Sequence, residues 1–171
     1  MEQPQQQPSV DGTRLAAQDY LTAFDAELEA LLAAATDLGA DVPGCPGWTV
    51  RDLLSHVLGV YRHKNAAFAA GAAPENPEAG WGALADDDDV VALLRDEAAV
   101  LRTNLDRDPA TPAWSWWAPE QTVGFWQRRQ VHEHRVHRWD LEDALGTPEA
   151  IDPERPAAVV GYSMGGRIAL H

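Results

Sequence analysis

A single cysteine, Cys45, leaves no partner for a disulfide within the chain. The start, Met1-Glu2-Gln3-Pro4, has no basic segment followed by an apolar one, as a secretory leader would. Both features point to the cytoplasm as the expected location. Basic residues are scarce: 13 Lys and Arg stand against 27 Asp and Glu, a formal charge of −14. Nucleic-acid backbones and anionic membrane surfaces both repel such a protein, so neither is expected as a main partner. Long apolar runs are also missing, and none approaches the ~20 residues of a membrane-spanning helix. Up to Gly146 there is almost no alternation of apolar and polar residues, which argues against strands.

What the chain does have is helical periodicity. With 45% hydrophobic residues in 171 positions, it can build one sizeable core. Residues 1–12 are rich in Gln and Pro and read as a disordered tail. Residues 13–147 read as a four-helix bundle, and 148–171 as a tail outside it.

The first helix is expected from about Thr13 to Leu38, on the stripe Leu15, Tyr20, Leu21, Phe24, Leu28, Leu31 and Leu32, with Gly39 as its stop. Thr49 is a good N-cap for a second helix reaching about Ala70. Asp52 completes a capping box, and Trp48 and Leu53 form a staple. The connection from Gly71 to Ala85 is long enough to cross the end or the length of a bundle. The acidic run Asp86-Asp87-Asp88-Asp89 reads as the solvated start of a third helix ending near Leu105, since carboxylates favour helix N-termini. A fourth helix is expected from Val123 to Leu145, stopped by Gly146 and Pro148. The expected fold is all-α, a four-helix bundle with a long crossover.

The fourth helix carries the chemistry. At 100° per residue, Arg129, Glu133, His137 and Asp140 share one side with Trp126, Val136, Leu141 and Ala144. Ionisable groups placed on an apolar stripe must pair with each other or bind a metal. Arg128, Arg135, Arg138 and Glu142 fall on the opposite side, expected to be solvated. Glu133 and His137 have the i, i+4 spacing that lets one helix supply two ligands. His56, on the apolar side of the second helix, would complete a His/Glu/His set that leaves one position open, as in catalytic zinc sites. The alternative is an internal salt-bridge network, Arg129–Glu133 and His137–Asp140, with His56 as a core histidine. Asp140 could instead orient an imidazole. His132 and His134, about 100° to either side of Glu133, are rival ligands expected at the flanks or surface. Arg129, His63 and the Trp114–Trp117 loop are candidates to line a pocket, and Cys45 reads as a small buried residue.

Three segments carry a resemblance: residues 42–57 (VPGCPGWTVRDLLSHV), Trp126-Gln127-Arg128-Arg129-Gln130, and Val131-His132-Glu133 through His137-Arg138-Trp139-Asp140. Together they resemble the mycothiol-dependent maleylpyruvate isomerase family of the DinB-like superfamily, over roughly residues 12–150. The resemblance implies a bundle binding a divalent metal, usually zinc, through His56, Glu133 and His137. It also implies a low-molecular-weight thiol such as mycothiol at the open position, a small electrophile as its target, and a possible homodimer. The isomerase has a further C-terminal domain for which this chain has no room. Maleylpyruvate itself is therefore not the implied substrate, and a thiol transferase or a non-catalytic metal-binding relative fits at least as well.

The tail reads differently. Val159-Val160-Gly161-Tyr162-Ser163-Met164-Gly165 resembles the nucleophile elbow of α/β-hydrolases. In that fold the acid and the histidine follow the serine, yet only eight residues follow Ser163 and none is acidic. A working serine hydrolase is not expected. The segment reads as the start of a second domain cut short, as in a fragment of a fusion, or as a tail packed on the bundle.

Overall fold

The computed structural model describes residues 16–75 and 84–149. The N-terminal tail, the middle of the Gly71–Ala85 connection and the Ser163 segment lie outside the described residues. Four α-helices appear in order: α1 Ala17–Ala34, α2 Val50–Ala70, α3 Val90–Leu105 and α4 Val123–Ala144. Among the described residues there is no strand, only two isolated β-bridges, and no helix is long and apolar enough to cross a membrane. The chain is an all-α four-helix bundle.

Each helix buries the stripe its periodicity lays down. Tyr20, Leu21, Phe24, Leu28, Leu31 and Leu32 of α1 meet Leu53, Leu54, Val57, Leu58 and Tyr61 of α2 in one core. Leu94, Leu101 and Leu105 of α3 and Trp126, Val131 and Leu141 of α4 complete it. α1 packs chiefly on α4, and α2 on α3, while α1 and α2 make no close backbone approach. The diagonal step of the bundle is therefore taken between α1 and α2, through residues 35–49.

That step explains why α1 stops before Leu38. The Asp37 carboxylate accepts the Gly39 N–H at 3.0 Å, a local turn that competes with the helix. The backbone N–H groups of Val50 and Arg51 then donate to Ala40 O and Leu38 O, both at 2.9 Å. Residues 38–40 are thereby committed to the start of α2, and no left-handed glycine ends α1. α3 likewise starts later than Asp86. Asp89 is its N-cap, accepting from the N–H groups of Val91 and Ala92, and the preceding aspartates form an exposed turn. Gly71 (φ +63) and Gly146 (φ +72) adopt the left-handed conformation after α2 and α4, where a side chain would be strained.

The two bridges sit at equivalent places. Thr49 is the N-cap of α2 and is bridged to Asp41; Thr122 is the N-cap of α4 and is bridged to Pro112. The first is flanked by Val42 N–H to Trp48 O (2.8 Å) and Val50 N–H to Ala40 O (2.9 Å). The second is flanked by Ala113 N–H to Gln121 O (3.1 Å) and Val123 N–H to Thr111 O (2.9 Å). At Thr49 the expected capping box is complete. Thr49→Ala removes the side-chain acceptor for the Asp52 N–H, and thermal or denaturant unfolding should show a loss of ~1 kcal/mol.

The face of α4 expected to be solvated is instead a contact face. Arg135 Nε lies 2.8 Å from Glu27 Oε1, and Arg138 Nε 3.2 Å from Glu27 Oε2. Glu27 is buried within the α1 stripe and Glu142 is buried on α4. A helix with an acid on one neighbour and a polar seam on the other has no broad solvent side to spare.

Candidate metal centre

α2 and α4 face each other through side chains rather than close backbones, since each packs more tightly on another helix. Their seam is polar. At one end the rings of His56 and His137 lie 5.2 Å apart at 75°, with Trp48 against the outer side of His56 at 5.3 Å. His137 is held from both sides: its Nδ1 lies 3.3 Å from Asp140 Oδ2, and its Nε2 lies 3.5 Å from Glu133 Oε2. The other oxygen of Glu133 is taken by the Arg129 guanidinium. The loop before α2 closes this end, since a Cβ on Gly44 would stand 3.1 Å from Asp140 Oδ1.

The electrostatics separate the two imidazoles. Burial, reinforced by His137, pushes His56 down to about 4. Burial would also lower His137, but Asp140 and Glu133 outweigh it and hold it up at about 9. Burial would raise Glu133, yet His137, Arg129 and His56 bring it down to about 2. At neutral pH the metal-free site thus holds an ionised Glu133, a neutral His56 and a protonated His137.

His137 thus stands beside both His56 and Glu133, and both pairs of the salt-bridge alternative, Arg129–Glu133 and His137–Asp140, are present. Among the described residues no three His, Cys, Asp or Glu side chains are drawn tightly enough around one point to hold an ion as they stand. The donor atoms, two imidazoles and a carboxylate, are of the types that zinc takes. Nε2 of His137 is buried and makes no hydrogen bond among the described residues. Its 3.5 Å separation from Glu133 Oε2 is long for a hydrogen bond. It is close to the ~3.4 Å edge between two ligands that each stand ~2.1 Å from a tetrahedral zinc.

The other candidates fall as follows. His63 lies at 6.2 Å from the Trp114 ring, its Nδ1 accepting from Lys64 Nζ at 3.2 Å. Trp114 reaches the seam through its carbonyl, which accepts from Trp126 Nε1 at 2.7 Å. Trp116 and Trp117 are about half exposed, and the Trp116 ring packs at 5.4 Å against the buried Phe125. Cys45 is buried, and burial raises its thiol pKa. His132 is half-buried. His134 corrects the expectation of a flank or surface position: it is fully buried, with its ring 4.5 Å from Phe24 and its Nε2 against the Tyr61 hydroxyl. Burial pushes its imidazole down to about 3, so it serves as a neutral core group linking α1, α2 and α4.

Two seam residues were not singled out from the sequence. Lys64 places its ammonium 4.6 Å from the centre of the Trp126 ring, and burial lowers it to about 8. Gln130 is fully buried. The signal for both is register: Lys64 lies one turn past Val60 and Tyr61, and Gln130 two turns before His137.

Compared with known proteins, residues 21–142 match the family model described as the mycothiol maleylpyruvate isomerase N-terminal domain, more than half of the chain. No curated protein and no solved structure matches.

Proposed function

The chain belongs to the mycothiol maleylpyruvate isomerase N-terminal domain family, a group of mycothiol-related, metal-binding DinB-like bundles, and from that premise we propose that it is a metal- and thiol-dependent transferase or isomerase acting on a small electrophile. His56, Glu133 and His137 are the proposed ligands, zinc the proposed ion and mycothiol or a similar thiol the proposed co-substrate. The proposed location is the cytoplasm. The observation that carries the reading is the buried, unbonded Nε2 of His137 standing at a ligand-to-ligand distance from Glu133 Oε2.

When bound, a divalent ion would lower the pKa of a coordinated thiol and keep it as the nucleophilic thiolate. The protein's own groups prepare that position. Asp140 accepts a hydrogen bond from the Nδ1–H of His137, which fixes the tautomer and leaves Nε2 toward Glu133. Arg129 anchors one oxygen of Glu133 and leaves the other facing His137. Trp48 and the loop over Asp140 cover one side of the site.

Zinc titration against a competing chelator tests the site. His56→Ala and Glu133→Ala should each weaken zinc binding by at least about a hundredfold, because loss of an outer-shell partner alone costs 10–100-fold. Wild-type affinity in both would remove the assignment. Thiol consumption with monobromobimane as the electrophile separates the two functional readings. Metal-dependent turnover supports the enzyme, whereas zinc bound without turnover supports a non-catalytic metal-binding bundle.

A further inference from the structure

The seam between α2 and α4 extends beyond the metal position. Its rungs are His56 against His137, Tyr61 against His134 and Lys64 against Trp126. The two helices therefore run antiparallel, and Gln130 falls between the last two rungs. Two groups of this stretch have polar capacity that the described residues leave unused. Gln130 is fully buried, yet neither its Nε2 nor its Oε1 has a hydrogen-bond partner among the described residues. A buried amide left in that condition is destabilising and calls for a missing partner. Lys64 is half-buried; its ammonium has the neutral His63 Nδ1 and the Trp126 face as neighbours, and among the described residues no carboxylate forms an ion pair with it, Glu133 acting on it only from a distance.

We propose that Lys64 and Gln130 form a second ligand subsite, which takes a carboxylate bearing a neighbouring hydroxyl or amide donor. The ammonium and the amide N–H of Gln130 both donate to the carboxylate, and Gln130 Oε1 accepts from the neighbouring donor. Trp126 supplies an apolar wall. Gln130 is seven residues from His137, so the subsite lies about 10 Å along the seam at 1.5 Å per residue. A ligand held at both ends would span that length. The charges agree: with a dication in place, Lys64 and Arg129 add two positive charges against the carboxylates of Glu133 and Asp140, and a buried excess of positive charge favours an anionic ligand. The functional meaning of the subsite rests on the metal-dependent reading above, but its occupancy can be measured without metal.

The test is a titration of the metal-free and the zinc-loaded protein with glycolate and with glycolamide, which replaces the carboxylate by a neutral amide. The readouts are the side-chain amide signals of Gln130 and the indole N–H of Trp126 in 1H–15N spectra. Glycolate should shift both signals saturably and bind at least about tenfold more tightly than glycolamide, the step expected of a hydrogen bond to a charged group. Lys64→Met and Gln130→Met should each weaken glycolate binding by about tenfold or more. Because Gln130→Met removes an unsatisfied group, its Tm should equal or exceed that of the wild type. Equal binding of the two probes, wild-type glycolate affinity in both variants, no saturable shift (as for a site filled by water), or a Gln130→Met protein with a clearly lower Tm would each overturn the proposal. Failure of zinc to bind while glycolate still saturates Gln130 overturns the metal reading and leaves the subsite standing. Zinc binding without a glycolate response does the reverse.

Discussion

Zinc affinity is expected to rise about tenfold for each pH unit between about pH 5 and pH 8, a thousandfold change over the range. The reason is competition for Nε2 of His137. A metal binds the neutral imidazole, so the proton held there must leave first. Asp140 and Glu133 hold His137 up at about 9 against the effect of burial, so it is protonated throughout that range. Glu133, at about 2, and His56, at about 4, have already lost theirs. One proton is then released per ion, which gives a slope of one, levelling off near pH 9. The same linkage acts on the metal-free fold. The raised His137 stabilises it fully below its unfolded value of ~6.5, and that contribution is lost as pH rises through about 9. Zinc should remove this alkaline loss. Asp140→Asn, which deletes one of the two carboxylates holding the proton, should move the plateau to lower pH. Chelator competition across the pH range checks both statements, and a flat profile would mean that the displaced proton is not on His137.

The largest expected stability effect lies far from the metal position. Glu27→Ala should cost about 3–5 kcal/mol, the usual result of removing one partner from a buried ionic cluster. Glu27 is buried on α1 and faces both Arg135 and Arg138 of α4. Arg138 retains Glu142 and Glu149 nearby. Arg135 would keep no such substitute among the ion pairs of the described residues. A double replacement, Glu27→Leu with Arg135→Met, should therefore recover most of the loss, because well-packed apolar groups often match a buried pair in stability. Urea unfolding of the two variants decides the matter. A double variant no better than Glu27→Ala would mean that the cluster fixes the α1–α4 packing in a way that apolar side chains cannot.

Local chemistry was legible in the sequence, while the relation between helices was less so. Thr49, Asp52 and Gly146 set helix ends through interactions within a few residues, and each does what its spacing predicts. The register of Glu133 and His137 on α4, and of His56 on the apolar side of α2, was legible because it is a local property; that the three hold one ion is the proposal made above. The assumption that failed was that α4 has one buried stripe. His134 lies off the Glu133 stripe and is nonetheless buried, because α1 covers the flank of α4 that a single-stripe reading leaves to solvent. Glu27 carried a usable signal, an acid one position before Leu28 and three after Phe24 in an apolar stripe. Its partners stand more than a hundred residues away and could not be named. Lys64 was hidden for the opposite reason: a lysine in the last turns of a helix has an ordinary solvated explanation until the opposing helix is in place.

The bridges at Thr49 and Thr122 bear on how finely such a seam can be aimed. A helix that slips by one residue turns every side chain through 100°, enough to swing His56 away from His137. Both helices of the seam leave a β-bridged threonine cap, whereas among the described residues no bridge stands at the start of α1 or α3. Each bridge ties the first turn to a stretch of chain eight or ten residues upstream, so the angular phase of α2 and α4 is indexed at the N-terminus rather than left to core packing alone. His56, two turns beyond Thr49, inherits that phase almost undiluted. Core substitutions that loosen α1 or α3 should therefore soften the bundle well before they turn the seam out of alignment.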